Sequence, residues 1–280
     1  MGSERMSSSA TPSAGHLSMS PASGQPLLQT YGVTVRFGGL TAVDAVDAVF
    51  MPGELVGIIG PNGAGKTTFF NAISGVTRPT SGRLVMAGRD LGGRAPHHFT
   101  ASGLARTFQT PRVFGDMRVR ENVEFGLKFA GRRRRHGLKD GQPQVPAALR
   151  DSDAILSLIG LADQAELPAS AITPSQQRLL EIGMALATRP RMLLLDEVAA
   201  GLTEAEVEAM AHLVRRLRDE LGLTVVWIEH AVTTLLRHVE RVIVLHQGRK
   251  IADDTPAAVV RHPEVIEAYL GDEMVEEGFA

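Results

Sequence analysis

The chain has 280 residues, 44% hydrophobic and 21% charged, and its 29 lysines and arginines against 31 aspartates and glutamates leave a net charge of -2. That mixture supports a full-sized core and excludes a disordered chain, and the near-neutral balance argues against a wide basic face for nucleic acid. Cysteine is absent, which removes disulfides, thiolate metal sites and cysteine nucleophiles together and suits a reducing compartment.

Residues 1–25 are rich in Ser, Ala, Pro and Gly, with no apolar core and no helical period, so they read as a disordered leader and not as a secretory signal. From Leu27 onward short β-rich runs alternate with longer helical ones, the pattern of an α/β core. Residues 55–59 read as a buried strand that runs into a glycine-rich loop and a helix over 66–74. A turn at 79–82 precedes a short strand at 83–86. Between 110 and 172 the β signal vanishes, and helical pieces follow at 119–129, 145–159 and 176–188, which an α/β core accommodates as an insertion. Within it, residues 131–143 are basic and read as a solvated loop, with contact to lipid phosphates as the alternative. Buried strands at 192–195 and 224–228 end at Asp196 and Glu229, and the runs 241–245 and 250–252 bracket the turn Gln247-Gly248 as a hairpin. No apolar stretch approaches the roughly 20 residues needed to cross a bilayer.

The chemistry concentrates at a few places. Gly60-Pro-Asn62-Gly63-Ala64-Gly65-Lys66-Thr67-Thr68 has four residues between its outer glycines and sits where a phosphate loop must, after a strand and opening a helix. Glycines let backbone N–H groups turn onto phosphates, and the helix N-terminus adds a favourable dipole. Lys66 supplies a point charge for the β- and γ-phosphates, and the Thr67 hydroxyl suits Mg2+. Asp196 and Glu197 close a hydrophobic strand, which presents carboxylates at the carboxyl edge of a parallel sheet. The first suits the outer shell of a magnesium ion, reached through its bound water, and the second suits orienting or deprotonating a water that attacks a γ-phosphate.

With these motifs in place, residues 27–270 resemble the ATP-binding subunit of an ABC transporter. The resemblance implies an α/β phosphate-loop ATPase core (26–109 and 190–272) with an antiparallel β subdomain, an inserted α-helical subdomain (110–189) and a short tail (273–280). It implies that Phe37, in Arg36-Phe-Gly-Gly39, stacks on adenine, and that Val43 lies beside the nucleotide with Asn62, Gly63, Ala64, Gly65, Lys66, Thr67 and Thr68. It implies that Gln109 reaches the metal and the attacking water, that Thr67, Gln109 and Asp196 serve Mg2+, that residues 199–203 cross between subunits, and that His230 contacts the γ-phosphate. The catalytic set is then Glu197, Gln109 and His230.

Residues 103–109, 121–123 and 263–271 narrow the resemblance to the importer ATPases for branched-chain amino acids, whose pattern urea and short-amide importers largely share. That subfamily implies a second ATPase subunit, two membrane permeases and an extracytoplasmic solute-binding protein, with the chain on the cytoplasmic face of the plasma membrane and no nucleic acid partner. A regulatory subunit that scarcely hydrolyses ATP is the other class.

One segment departs from the family. The signature Leu-Ser-Gly-Gly-Gln, which completes the partner's nucleotide site, is here Ile172-Thr173-Pro174-Ser175-Gln176. Thr173 keeps a hydroxyl, Pro174 lacks a backbone N–H, and Ser175 puts a side chain where glycine permits close approach. A lost charge-assisted hydrogen bond costs roughly 1.5–3 kcal/mol, so the site this segment completes is expected to be weak. The residues acting on the chain's own nucleotide are intact, an asymmetry that favours a heterodimer. Val198 and Ala231 replace the usual proline and aspartate, with mild effects expected.

Overall fold

The computed structural model describes residues 24–135, 146–229 and 231–270. The leader up to residue 23, His230 and the tail from 271 lie outside the described residues.

Strands β1 (Leu28–Phe37) and β2 (Leu40–Phe50) form an antiparallel pair joined by the Gly38-Gly39 turn, with Leu28 opposite Phe50 and Val35 opposite Val43. β1 also pairs antiparallel with β4 (Ser81–Met86), which pairs with the two-residue β5 (Arg89–Asp90), so the sheet order is β2-β1-β4-β5.

The second sheet holds β3 (Leu55–Ile59), β6 (Leu104–Arg106), β7 (Met192–Asp196), β8 (Thr224–Ile228), β9 (Arg241–His246) and β10 (Arg249–Asp254) in the order β10-β9-β3-β8-β7-β6. Every pair is parallel except β10 with β9. β3, β7 and β8 are buried at every position, as continuous apolar runs covered on both faces must be. Their side chains alternate between two cores. Val56, Ile58, Leu194, Val226 and Ile228 pack with Phe69 and Phe70 of α1 (Lys66–Ile73) and with the antiparallel sheet. Leu55, Ile59, Leu193, Leu195, Val225 and Trp227 face the other way, onto helices.

Those helices include α6 (Glu204–Leu221), whose buried stripe of Met210, Leu213, Val214 and Leu217 follows the 3.6-residue period. Thr203 and Glu206 form a capping box at its start, and Gly222 takes the left-handed turn at its end. The same core continues into α3 (Val119–Arg135), α4 (Ser152–Leu158) and α5 (Pro174–Ala187), which lie in sequence between β6 and β7. Smaller helices complete the chain: α2 (Pro96–Ser102), α7 (Val232–His238), α8 (Pro256–Val259) and α9 (Pro263–Leu270). Among the described residues, no helix is long and apolar enough to cross a membrane.

Three expectations need correction. Residues 131–135, read as loop, continue α3, because arginine is a good helix former and charge alone does not stop a helix. Residues 136–143 lie outside the described residues. The helix expected over 145–159 is split into a 3₁₀ turn (Ala147–Leu149) and α4, because the Asp151 carboxylate accepts the Ala154 N–H at 2.9 Å and starts a new helix there. α5 begins two residues early, at Pro174, since proline at the first helical position costs no intrahelical hydrogen bond.

Two glycines let these helices pack closely: Gly126 of α3 sits against α5, and Gly183 of α5 sits against the end of α4. A Cβ on Gly126 would lie 2.7 Å from both the Ala187 Cβ and the Met184 carbonyl oxygen, and one on Gly183 would lie 2.6 Å from Ile159 Cδ1. In an open helix Gly→Ala stabilises by roughly 1 kcal/mol. At Gly126 the clash involves backbone and wins, so Gly126→Ala is expected to destabilise by about 1–3 kcal/mol in denaturant unfolding.

Candidate active site

The carboxyl ends of β3, β6, β7 and β8 lie on one edge of the parallel sheet, the edge where open α/β folds bind ligands. The glycine-rich loop leaves β3 and enters α1. Its glycines are required, not incidental. Gly60 (φ 151°) and Gly65 (φ 97°) adopt backbone conformations that side chains rarely take, and a Cβ on them would meet the Leu245 carbonyl oxygen at 2.1 Å and the Ala42 carbonyl oxygen at 2.3 Å. Gly65 caps α1 without any side-chain hydrogen bond to the helix N–H groups. Lys66 is buried, with Nζ donating to the carbonyl oxygens of Gly60 (2.5 Å) and Pro61 (3.0 Å). Burial holds this ammonium below the usual lysine range, and the nearby Glu197 carboxylate opposes that shift. Asn62, Gly63 and Thr67 are exposed, Thr68 is half-buried and Ala64 is buried.

The antiparallel sheet is fastened beside this loop at the β9–β10 turn. The Gly248 N–H donates to the Ala64 carbonyl at 3.0 Å, and the Gly248 carbonyl accepts the Asp44 N–H at 2.8 Å. Phe37 ends β1 and is 55% exposed, free to offer a ring face. Val43, expected beside the nucleotide, is wholly buried in the sheet core and has no side-chain surface to offer.

Asp196 and Glu197 are both buried, at the end of β7 and just beyond it. Asp196 Oδ2 accepts Arg106 Nη2 at 2.8 Å, and the Asp196 N–H donates to Thr107 Oγ1 at 3.2 Å. Glu197 adopts φ 51°, with its N–H on the Ile228 carbonyl (2.9 Å) and its own carbonyl accepting Arg178 Nη1 at 2.6 Å. Its Oε2 accepts the Gln109 amide Nε2 at 2.5 Å, so the two residues expected to handle water are in direct contact. His230 lies outside the described residues.

Three further charged side chains are packed into this site: Arg106 and Glu181, to which the sequence assigns no role, and Glu229, which it marks only as a strand end. Arg106 also donates from Nη1 to Asn71 Oδ1 and Ser74 Oγ, both at 2.8 Å, and its guanidinium lies 4.8 Å from the centre of the Phe108 ring. Glu229, beyond β8, accepts the Ala199 N–H at 2.7 Å and Trp227 Nε1 at 2.8 Å, while burial pushes its carboxyl up. Glu181, on α5, accepts the Phe108 N–H (3.3 Å) and the Arg112 N–H (3.1 Å). A charged residue inside an apolar run was the available signal, because such residues are almost never buried unless paired.

The segment 172–176 starts α5. Thr173 is the N-cap, accepting the Gln176 N–H at 3.2 Å, while Gln176 Oε1 accepts the Thr173 N–H at 3.0 Å. The hydroxyls of Thr173 and Ser175 lie 3.0 Å apart. Ser175 also reaches Glu206 at the start of α6, one of the hydrogen bonds that hold that carboxyl low, after those from the Thr203 N–H and hydroxyl.

A phosphate loop, a carboxylate pair at the end of β7 on the same sheet edge and a glutamine reaching across to it define a nucleotide-hydrolysing cassette, and residues 43–200 match the ABC transporter family. The chain belongs to that family, as an ATP-binding subunit and an ATPase. Residues 249–275 match a second family, the branched-chain amino acid ATP-binding cassette transporters. The high-affinity branched-chain amino acid transport ATP-binding protein LivG of Escherichia coli K12 is 38% identical over 255 residues, which span 89% of this chain and 99% of LivG. Among solved structures, an ATP-binding cassette of an ABC transporter in its ADP conformation superposes with a TM-score of 0.75 at 29% identity, covering 89% of this chain and all of that one. A dimeric post-hydrolysis cassette bound to ADP and Pi superposes with a TM-score of 0.67 at 25% identity, covering 82% and 98%.

Burial raises the Glu181 carboxyl from 4.5 to about 7, and the hydrogen bonds from Arg112 and Phe108 oppose it. The folded chain therefore holds this proton more tightly than the unfolded chain does. The stability linked to it is full below pH 4.5, falls as the pH rises to about 7 and is level above that. The stability of the wild type minus that of Glu181→Gln is expected to decline across that window, which denaturant midpoints at successive pH values will read.

Proposed function

We propose that this chain powers import of branched-chain amino acids, or of a similar small polar solute, from the cytoplasmic face of the membrane. The hydrolysis half of the proposal rests on one observation, the Gln109–Glu197 contact beside the phosphate loop. The solute class is supported by the match of residues 249–275 and by the relatives' function; the urea and short-amide reading has no comparable support.

In this reading the loop N–H groups from Gly63 to Thr68 hold the ATP phosphates, with Lys66 as the point charge and Phe37 against the base. Gln109 and Glu197 fix a water in line with the γ-phosphorus. The water oxygen bonds to phosphorus as the bond to the β-phosphate oxygen breaks, the proton passes to Glu197, and ADP and phosphate leave. His230 is proposed to complete the γ-phosphate contacts. The Thr67 hydroxyl, the Gln109 amide oxygen and the Asp196 carboxylate are hard oxygen donors of the kind Mg2+ takes together with substrate phosphates. When bound, the ion would neutralise charge developing on the β- and γ-phosphates.

Transport subunits must pass this event to membrane permeases. The exposed rings of Phe114, Phe125 and Phe129 form an edge-to-face row with centroids 4.9 and 5.1 Å apart, on the α3 side of the Gln109 loop. We assign permease contact to this row. An extracytoplasmic solute-binding protein would deliver the solute to those permeases.

The dimer partner is a second ATPase subunit, and a heterodimer is favoured. Thr173, Ser175 and Gln176 are the residues offered to the partner's nucleotide. Pro174 has no N–H to give it, whereas the Thr173 hydroxyl, which accepts from the Gln176 N–H, keeps its own O–H to donate. The chain's own phosphate loop would instead meet an intact signature from the partner, so hydrolysis is asymmetric.

Glu197→Gln is expected to lower ATP turnover by roughly 10²–10⁴-fold with ATP affinity retained; wild-type turnover would remove Glu197 from the role. The solution mass of that variant, with and without ATP, tests the partner. A monomer that binds ATP supports the heterodimer, and an ATP-dependent doubling supports a homodimer. Changing Pro174 and Ser175 together to glycine is expected to raise turnover in the assembled complex, and unchanged or lower turnover would refute the weak-site assignment.

A further inference from the structure

Glu181 lies deep in α5, yet both of its hydrogen bonds leave that helix. Its carboxylate takes the backbone N–H groups of Phe108 and Arg112, the two sides of the loop that carries Gln109. One turn earlier on the same helix, Arg178 donates to the Glu197 carbonyl at 2.6 Å. Residues three apart share a helix face, so a single turn of α5 holds both backbone segments whose side chains meet as Gln109 and Glu197. The charges facing Glu181 are Arg112, Arg178 and Arg106. The Arg112 guanidinium lies 4.4 Å from the Phe108 ring centre, which closes the loop on itself between the two N–H groups that Glu181 grips. This arrangement is expensive: a buried carboxylate is retained against its desolvation only where its hydrogen bonds are made. A residue with no task beyond packing would be apolar here.

We infer that Glu181 is a positioning residue for hydrolysis, which fixes the loop at Phe108 and Arg112 and thereby sets the Gln109–Glu197 contact. The inference rests on the ATPase reading of that contact. It also gives the helix that opens with Thr173 a direct mechanical hold on the chain's own water-handling pair.

Two substitutions separate positioning from packing. Glu181→Gln keeps an acceptor oxygen in place, whereas Glu181→Met keeps the volume and helix propensity and removes the acceptor. Hydrolysis by the full chain with its partner subunits, together with backbone amide exchange on the full chain alone, reads the result. Glu181→Met is expected to lower kcat by roughly tenfold or more with KM for ATP within about twofold, because misplacing a reacting group by about an ångström carries that cost. Its amides at Phe108 and Arg112 should exchange faster, while those of β7 and β8 stay as in the wild type. Glu181→Gln should recover most of the turnover. The inference is overturned if Glu181→Met turns over like the wild type, if Glu181→Gln is as impaired as Glu181→Met, or if exchange rises throughout the protein. If the wild type binds ATP without hydrolysing it, the ATPase reading fails, and the exchange at Phe108 and Arg112 still decides whether Glu181 holds the loop.

Discussion

The Arg106–Asp196 ion pair is buried on both sides, with side-chain exposures of 9% and 5%, and three elements of the site hang from it. Removing two charges from water costs several kcal/mol, recovered only when the remaining donors and acceptors find partners. Arg106 meets that condition with Asn71 and Ser74 at the end of α1, the Thr107 carbonyl at 3.2 Å and the ring of Phe108. The far end of the phosphate-loop helix, the strand leading to Gln109 and the carboxylate of Asp196 are thus fixed relative to one another by one guanidinium. Lysine could not replace it, having neither the planar fork nor the number of donors.

Around that pair, the loops at the sheet edge are held by side chains from their neighbours and not by their own sequence. Glu229 secures Ala199, Arg178 secures the Glu197 carbonyl, and Asn122 closes the stretch from Phe114 to Arg118 by accepting one N–H and donating to carbonyl oxygens. Glu229 and Asn122 are buried and Arg178 is half-buried, and each of the three has a backbone partner. Loops held this way keep their shape without burying apolar surface, which leaves the edge open to a charged ligand.

Much of this was legible in the sequence because it depends on short-range patterns. The short apolar runs at β3, β7 and β8 each stand out as fully buried strands, and the glycine spacing around Lys66 locates the phosphate loop between strand and helix. The residues missed depend on tertiary contacts. Arg106 reads as an ordinary charge in a three-residue strand until Asp196, 90 positions later, is brought beside it. Glu181 reads as one more polar position on an amphipathic helix. Val43 was placed by family resemblance, and it packs inward because the β1–β2 register sets it opposite Val35 in the core. The split at Asp151 went unread because a single capping carboxylate outweighs the continuing helical pattern.

The capping box at the start of α5 has a thermodynamic consequence. Thr173 and Gln176 satisfy each other's groups, so the helix start is ordered by its own residues. A nucleotide presented there in the proposed dimer would therefore meet no cost for ordering the segment. A ligand shifts a conformational equilibrium only by its difference in affinity between two states, so the segment's share would be the contacts it makes in a closed dimer and not in an open one. In the proposed heterodimer Pro174 offers no N–H to those contacts, so the free energy that distinguishes open from closed would come mainly from the nucleotide on the chain's own phosphate loop.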